Sequence, residues 1–184
     1  MVDPDLLAAV QNGDHATFKK LYQSCIGYVY SITKRYVSNT SDHPDVIQEI
    51  FARVFLSISS FDESKGEFKA WLRRLVINQC IQHYRQGKSP ARVIPLNGIS
   101  EMEAGLDQRI EELTKAEIEH LLRLMPDGYR QVFLLVAIDE YAHKEVGELL
   151  GISTETSRSQ FSRAKNWLRK HVSSTNFKTL ANGL

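Results

Sequence analysis

Apolar residues recur every three or four positions along most of this chain of 184 residues, and no long segment alternates apolar with polar residues. The first spacing puts apolar side chains on one face of a helix, whereas alternation would indicate a strand. The sequence therefore predicts an all-α protein. The predicted helices cover residues 6–11, 14–32, about 44–58, 68–85 and 108–125, then a stretch after a break at 126–128 that ends at 138, and two more within 141–170.

The helical period stops between residues 86 and 107, where the sequence has two prolines and three glycines. Such a composition is typical of a linker. We therefore expect two small helical domains, residues 1–86 and 108–172, joined by a linker at residues 87–107. Residues 173–184 are weakly patterned, and we expect them to form a flexible tail.

Residues 141–170 have the pattern of a helix-turn-helix. Gly151 can adopt the left-handed backbone that ends a helix, and Ser153 can cap the next one. Gly147 is small where two steeply crossing helices must approach closely. In the second helix, spacings of four, three and four residues predict a buried face made of Ser157, Phe161, Ala164 and Leu168. The opposite face is polar and mostly basic, with Glu155, Arg158, Ser159, Ser162, Arg163 and Lys165.

This basic face is typical of a helix that lies in a DNA groove, although any helical hairpin has a solvated polar face. The charge distribution favours DNA. The whole chain is almost balanced, with 23 Lys+Arg against 22 Asp+Glu. Residues 141–184 nevertheless hold seven basic residues against three acidic ones, whereas residues 108–140 hold four against seven. The positive charge is thus concentrated on the segment predicted to face DNA.

Other patterns argue against an enzyme and against a secreted or membrane protein. The six histidines are dispersed, no histidine pair has the spacing of zinc hydrolases, and there is no glycine-rich phosphate loop. We therefore expect no catalytic residue, metal or cofactor. Cys25 and Cys80 lie in apolar helical patterns and are interpreted as buried thiols. The chain start lacks a signal-peptide pattern and the longest apolar run, 132–138, is too short to span a bilayer, so we expect a cytoplasmic protein.

The N-terminal half combines aromatic residues with cations. Phe61, Phe68, Trp71 and Tyr84 alternate with Lys65, Lys69, Arg73, Arg74 and Arg85 between residues 61 and 85. Aromatic rings among cations suit a surface that binds unstacked bases and phosphates. The alternative is that Phe68, Trp71 and Leu72 belong to the core while the cations are solvated. Composition alone favours that alternative.

Three motifs together resemble a known family. They are the run from Asp45 to Phe51 (DVIQEIF), then Phe61-Asp62 followed by Phe68, Trp71-Leu72 and Asn78, and finally Met125-Pro126 with Tyr129-Arg130 ahead of the helix-turn-helix. Their order and spacing, over about residues 5–172, resemble regions 2 and 4 of the bacterial sigma-70 factors of the extracytoplasmic-function (ECF) type. No third domain fits within the linker.

The resemblance implies the partners and the residues that contact them. Core RNA polymerase would bind the exposed face of the helix 45–55, at Asp45, Gln48, Glu49 and Arg53. The loop 62–67, including Lys65, and the helix through Asn78 would capture the opened strand of the minus-ten promoter element. The second helix of the helix-turn-helix would bind the duplex minus-thirty-five element. There Arg158, Ser159 and Ser162 would reach bases, Arg163, Lys165 and Arg169 would hold phosphates, and Thr154 and Glu155 complete the DNA-binding set. An anti-sigma factor is a further partner that the family implies, although no residue identifies it.

Four positions depart from the family pattern. Ala142 replaces a capping Ser or Thr and His143 replaces a common aromatic residue, so the first helix of the pair is expected to start less firmly. Ser157 stands where a β-branched apolar residue is usual, which should weaken packing under the second helix. Ile77 precedes Asn78 where a basic residue is frequent, so one DNA contact is expected to be lost.

Two other functions remain open on the sequence. A stand-alone helix-turn-helix regulator would use the same DNA-binding helix without the polymerase-binding face, and it would occupy duplex DNA by itself. A decoy would bind polymerase without opening promoters.

Overall fold

The computed structural model describes residues 2–87 and 115–174, and these residues are helical apart from short turns, with no strand among them. Contacts divide the chain between residues 90 and 91 into two units, here called the N-terminal and the C-terminal unit. The predicted all-α class is confirmed. The predicted linker beyond Gly87, residues 108–114 of the next predicted helix and residues 175–184 of the predicted tail lie outside the described residues.

The N-terminal unit contains four helices, α1 (Pro4–Gln11), α2 (His15–Tyr36), α3 (His43–Ser57) and α4 (Phe68–Gln86). Carboxylates begin the first two, because Asp3 accepts the amide of Asp5 and Asp14 accepts the amides of Ala16 and Thr17. Such caps satisfy amides that have no partner within the helix. The predicted helices therefore correspond to the observed ones, with ends that differ by one or two residues, except that α2 continues four residues beyond the predicted end at Ile32.

Helices α2, α3 and α4 pack against one another, and α1 packs against α2. Their shared core contains fully buried Val29, Ile32, Ile50, Val76 and Ile77. Burial of each such side chain contributes about 1.5–3 kcal/mol. The same core includes both thiols, Cys25 and Cys80, which are buried and form no disulfide, as predicted.

The helical period of α3 predicts one apolar stripe, and Phe55 departs from it; the stripe contains Val46, Ile47, Ile50, Phe51, Val54 and Phe55. Its side chain is 38% exposed, and its ring meets the ring of Phe18 edge-on at 5.1 Å between centroids. The prediction that Phe55 lies in the core is therefore wrong. The period of the helix assigned it to the buried side, but the packing of the unit leaves it exposed.

The C-terminal unit contains α5 (Lys115–Leu124), α6 (Asp127–Phe133), a π-helical turn (Leu134–Ile138), α7 (His143–Leu150) and α8 (Thr154–Ser174). Helices α6 and α7 both pack on α8. The predicted break at 126–128 is narrower than expected, because the Pro126 carbonyl already accepts the amides of Tyr129 and Arg130 and so starts α6 at Asp127. Ser173 and Ser174, predicted as the start of a tail, are the last residues of α8.

The π-helical turn ends in a reversal of the chain. The amide of Asp139 donates to the carbonyl of Leu134, five residues earlier, and Glu140 then adopts a left-handed conformation with φ of 58°. The amide of Tyr141 donates back to Leu135 at 2.9 Å. These bonds direct the chain into α7. None of the described helices is both long enough and apolar enough to cross a membrane.

Candidate polymerase and promoter surfaces

Two glycines, one within α7 and one at its end, make the turn between α7 and α8 possible. Gly151 ends α7 with φ of 68°, the left-handed conformation predicted for it. A Cβ atom on Gly147 would lie 2.8 Å from the Ile152 carbonyl oxygen, closer than real Cβ contacts allow. The close approach predicted at Gly147 is confirmed, and its nearest atom belongs to the turn backbone. Ser153 then begins α8 by accepting the amide of Thr156 at 3.0 Å.

Helix α8 has the two faces that its sequence predicts. Ser157, Ala164 and Leu168 are buried, and half-buried Phe161 lies 6.1 Å from the ring of Phe133 in a stacked geometry. On the other side Glu155, Arg158 and Lys165 are exposed, while Thr154, Ser159, Ser162 and Arg163 are half-buried. The predicted DNA-binding residues of this helix therefore share one accessible side.

Local contacts affect two of the charged residues on this side, Glu155 and Lys165. Hydrogen bonds from its own backbone amide and from Ser153 lower the pKa of Glu155, so its carboxylate is charged at neutral pH. The Lys165 ammonium lies 5.2 Å above the ring of Phe161, which holds it against the helix by a cation–π contact. Arg158 thus provides the outward positive charge nearest the start of α8.

The departures at Ala142, His143 and Ser157 have compensating contacts. The amide of Ala142 donates to the Glu145 carboxylate at 2.9 Å, which keeps one half of a capping box, while the other half needs a side-chain oxygen that alanine lacks. Ser157 is fully buried, and its Oγ lies 2.9 Å from Nδ1 of His143. The expected weakness under α8 is therefore offset by a hydrogen bond between the two helices.

On α3 the four predicted polymerase-binding residues, Asp45, Gln48, Glu49 and Arg53, are all exposed. Glu49 is also held in place, because Nε2 of Gln79 on α4 donates to its Oε2 at 2.6 Å. Leu56, 75% exposed, lies eleven residues after Asp45 and extends the same face. Neither Gln79 nor Leu56 was predicted. Leu56 could have been found from the sequence, because it is an apolar residue at a position where the helix period predicts a polar one.

The loop before α4 is ordered by Asp62. Its carboxylate accepts the amide and the hydroxyl of Ser64 at 3.0 and 2.7 Å, and it lies 3.2 Å from the Lys65 ammonium. Hydrogen bonds from Ser64, followed by Lys65, lower the pKa of Asp62. Gly66 closes the loop with φ of 145°. Lys65 remains 82% exposed and Asn78 on α4 is also exposed, so both predicted DNA-binding residues are accessible.

The aromatic residues of this segment form a cluster instead of an open stacking surface. Phe61, Phe68 and Trp71 lie 5.5 Å apart pairwise, and the first two are only 8% exposed. Of the two alternatives for this segment, the one that composition favours is confirmed for Phe68 and Leu72, which are buried, and Phe61 is buried with them at the start of α4. Ile77, which precedes Asn78, is fully buried in the core of the unit.

Comparisons with known proteins identify the family of this chain. Residues 21–89 match the family model for sigma-70 region 2, and residues 115–168 match the model for sigma-70 region 4. The ECF RNA polymerase sigma factor SigW of Bacillus subtilis is 29% identical over 175 residues, which cover 89% of this chain and 92% of SigW. The ECF RNA polymerase sigma-E factor of Haemophilus influenzae is 25% identical over 183 residues, with 94% and 96% covered.

A solved structure supports the fold. CnrH in complex with the cytosolic domain of CnrY matches with a TM-score of 0.50 and 22% identity, over 93% of this chain and 97% of CnrH. The order of the two regions, the relatives matched along nearly their full length and the helical architecture all agree with the predicted resemblance. The chain therefore belongs to the sigma-70 family and is an ECF-type RNA polymerase sigma factor, a transcription initiation factor.

Proposed function

We propose that the two units divide the work of initiation, with domains at residues 1–86 and 108–172 joined by the tether 87–107. The N-terminal domain docks on core RNA polymerase and captures the opened minus-ten strand, while the C-terminal domain holds the duplex minus-thirty-five element. The observation that carries the proposal is the partition of α8, whose buried face packs on α6 and α7 and whose accessible side has the basic residues.

Within α8 we assign base contacts to Arg158, Ser159 and Ser162. Arg158 is exposed near the start of the helix, where helix-turn-helix proteins contact base edges. Glu155 is ionised, so it would repel phosphates but could accept a hydrogen bond from the amino group of cytosine. The half-buried Thr154 lies at the helix start, and Arg163, Lys165 and Arg169 are assigned to phosphates.

In the N-terminal domain Asn78 and the loop with Lys65 are assigned to the opened strand. An amide side chain can hydrogen-bond the edge of an unpaired base, and an ammonium can neutralise a phosphate. Asp62 gives the loop a fixed form before DNA arrives, which lowers the entropy cost of binding. Unpairing a base costs a few kcal/mol, and these contacts would offset that cost in the open complex.

Asp45, Gln48, Glu49 and Arg53 are assigned to core polymerase, because they share the accessible face of α3. The protein would act in the cytoplasm, where polymerase and chromosomal DNA are found, and the chemistry of RNA synthesis would belong to the polymerase. An anti-sigma factor that covers these faces would be the regulatory partner expected of the family. No cofactor is needed for any of these roles.

The division of labour is tested by run-off transcription from genomic fragments with core polymerase, together with a polymerase pull-down. Arg158→Ala should lower the transcript about 5- to 150-fold, the range for one bidentate base contact of about 1–3 kcal/mol, and leave polymerase binding unchanged. The double variant Gln48→Ala, Glu49→Ala should instead lose polymerase binding. The matched controls, Arg123→Ala and Gln23→Ala, alter exposed residues outside both surfaces.

The same experiment separates the other two functions. A stand-alone regulator would protect duplex DNA without polymerase and would not be retained by polymerase in the pull-down. A decoy would be retained but would give no run-off product. Either result would overturn the proposal.

A further inference from the structure

His143 contacts two successive turns of α8, the second helix of the helix-turn-helix. Its Nδ1 lies 2.9 Å from the Oγ of Ser157, and its ring meets the ring of Phe161, four residues later, at 5.6 Å between centroids. Contacts one turn apart on the same face fix both the rotation of a helix about its axis and its position along that axis. His143 itself is the first residue of α7, where the chain leaves the reversal at Glu140.

We infer that His143 and Ser157 form a matched pair that sets the rotation of α8 on α7, and that His143 is thereby a positioning residue for promoter recognition by Arg158. The inference rests on the proposed function of α8. It adds that the specificity of the base-reading side depends on a hydrogen bond beneath the helix, made by two residues that do not touch DNA.

The burial of Ser157 means that its hydroxyl needs a partner, and His143 is the side chain that provides one. Ser157 is fully buried between α7 and α8, and its hydroxyl would be costly to bury without a partner. Both residues also depart from the types usual in the family, an aromatic residue and a β-branched apolar one. Each departure alone would leave a mismatch, whereas together they form one polar contact. The structure thus gives a physical reason for the two departures to occur in one chain.

The position of Arg158 depends closely on this contact. Arg158 directly follows Ser157 in α8, so it moves with any rotation of that turn. A rotation of about 10° displaces a side-chain tip about 5–6 Å from the axis by about 1 Å, enough to spoil a two-point contact with a base edge. Burial, followed by the positive charge of Arg158, lowers the pKa of His143. The ring is therefore neutral at neutral pH.

The test is a double-mutant cycle with His143→Tyr, Ser157→Val and the double variant, which restores the residue types usual in the family. Run-off transcription is measured with core polymerase on the genomic fragment that gives the strongest product with the wild-type chain. If each single change leaves about one hydrogen bond unmade, the competent arrangement becomes about tenfold less populated and the transcript falls about tenfold. The double variant should return to within about threefold of wild type.

Controls separate positioning from general instability. His120→Tyr makes the same chemical change at a half-buried position of α5 and should leave the transcript unchanged. Thermal melting is recorded for every variant. If Ser157→Val does not fold, Ser157→Ala replaces it in the cycle, because it removes the hydroxyl without adding an atom.

Two outcomes would overturn the inference: losses that simply multiply in the double variant, or single variants as active as wild type. Failure of the proposed function looks different. In that case, replacing the minus-thirty-five region of the fragment would not lower the amount of transcript made with the wild-type chain. The melting temperatures of the same four chains would still show whether His143 and Ser157 are coupled.

Discussion

Replacing Gln79 by leucine would test whether a buried amide prepares Glu49 for polymerase. Gln79 is 8% exposed, and its amide donates to the Glu49 carboxylate across the contact of α4 with α3. Leucine has a side chain of similar size, but it is apolar and lacks the amide N–H that donates to Glu49. Since Glu49 is exposed, its carboxylate can turn to water in the variant, and solvent screening limits the loss of folding stability to about 1 kcal/mol.

The effect on polymerase affinity follows from side-chain freedom. Fixing one flexible side chain on binding costs about 0.5–1.5 kcal/mol, so the loss of this support should raise the Kd for core polymerase about two- to tenfold. A fluorescently labelled chain titrated with core polymerase measures that Kd. In a Glu49→Ala background the change at Gln79 should have no further effect. Gln82→Leu, at an exposed position of the same helix, is the matched control. An equal loss in the Glu49→Ala background, or an unchanged Kd in the wild-type background, would refute the reasoning.

Three further outcomes are expected from the C-terminal unit and the core. Gly147→Ala places a Cβ 2.8 Å from a backbone oxygen and should destabilise the chain by about 1–3 kcal/mol in urea unfolding; Gly128→Ala, with 3.7 Å of room, should not, and equal effects would contradict the steric cause. Because the pKa of His143 lies below its ordinary value of 6.5 in the folded chain, the unfolded chain binds the proton first. Melting temperature should therefore fall as pH decreases below about 6.5, and this component should disappear in His143→Tyr; a pH dependence retained by that variant would assign it to other groups. Burial raises the pKa of Cys80 to about 12, so alkylation followed by mass spectrometry should proceed only as fast as the core opens, and rapid labelling of the native chain would show an accessible thiolate.

The positions of the helices could be predicted from sequence because their start signals are local. Asp14 caps α2 and Ser153 caps α8 through bonds to amides two or three residues away, and Gly151 marks the turn by its own conformation. Phe55 could not be placed in the same way. Its exposure depends on how the helices pack around it, which is a property that no local pattern records.

The accessible faces of the two candidate surfaces were also predictable, since the helix period separates Asp45 from Val46 and Arg158 from Ser157. The supports beneath those faces were not. Gln79 and Glu49 are 30 residues apart, and His143 and Ser157 are 14 apart, so only the folded chain brings each pair together. At Ser157 the departure from the family pattern was readable in the sequence, but its partner was not, because His143 meets the Ser157 hydroxyl only in the folded chain.

Helix α8 has few cations for phosphate contacts, and this explains why the two surfaces must act together. The net charge of the chain is only +1, so long-range attraction to DNA is weak. If Arg163, Lys165 and Arg169 each neutralise one phosphate, affinity should fall with about the 2.7th power of salt concentration, roughly 40-fold between 50 and 200 mM. Three phosphate contacts are also fewer than proteins that occupy DNA alone commonly make. The C-terminal unit would thus hold its duplex element only when polymerase keeps it nearby, where tethering replaces charge as the source of affinity. A regulator acting alone would need a larger basic surface than the described residues of α8 provide.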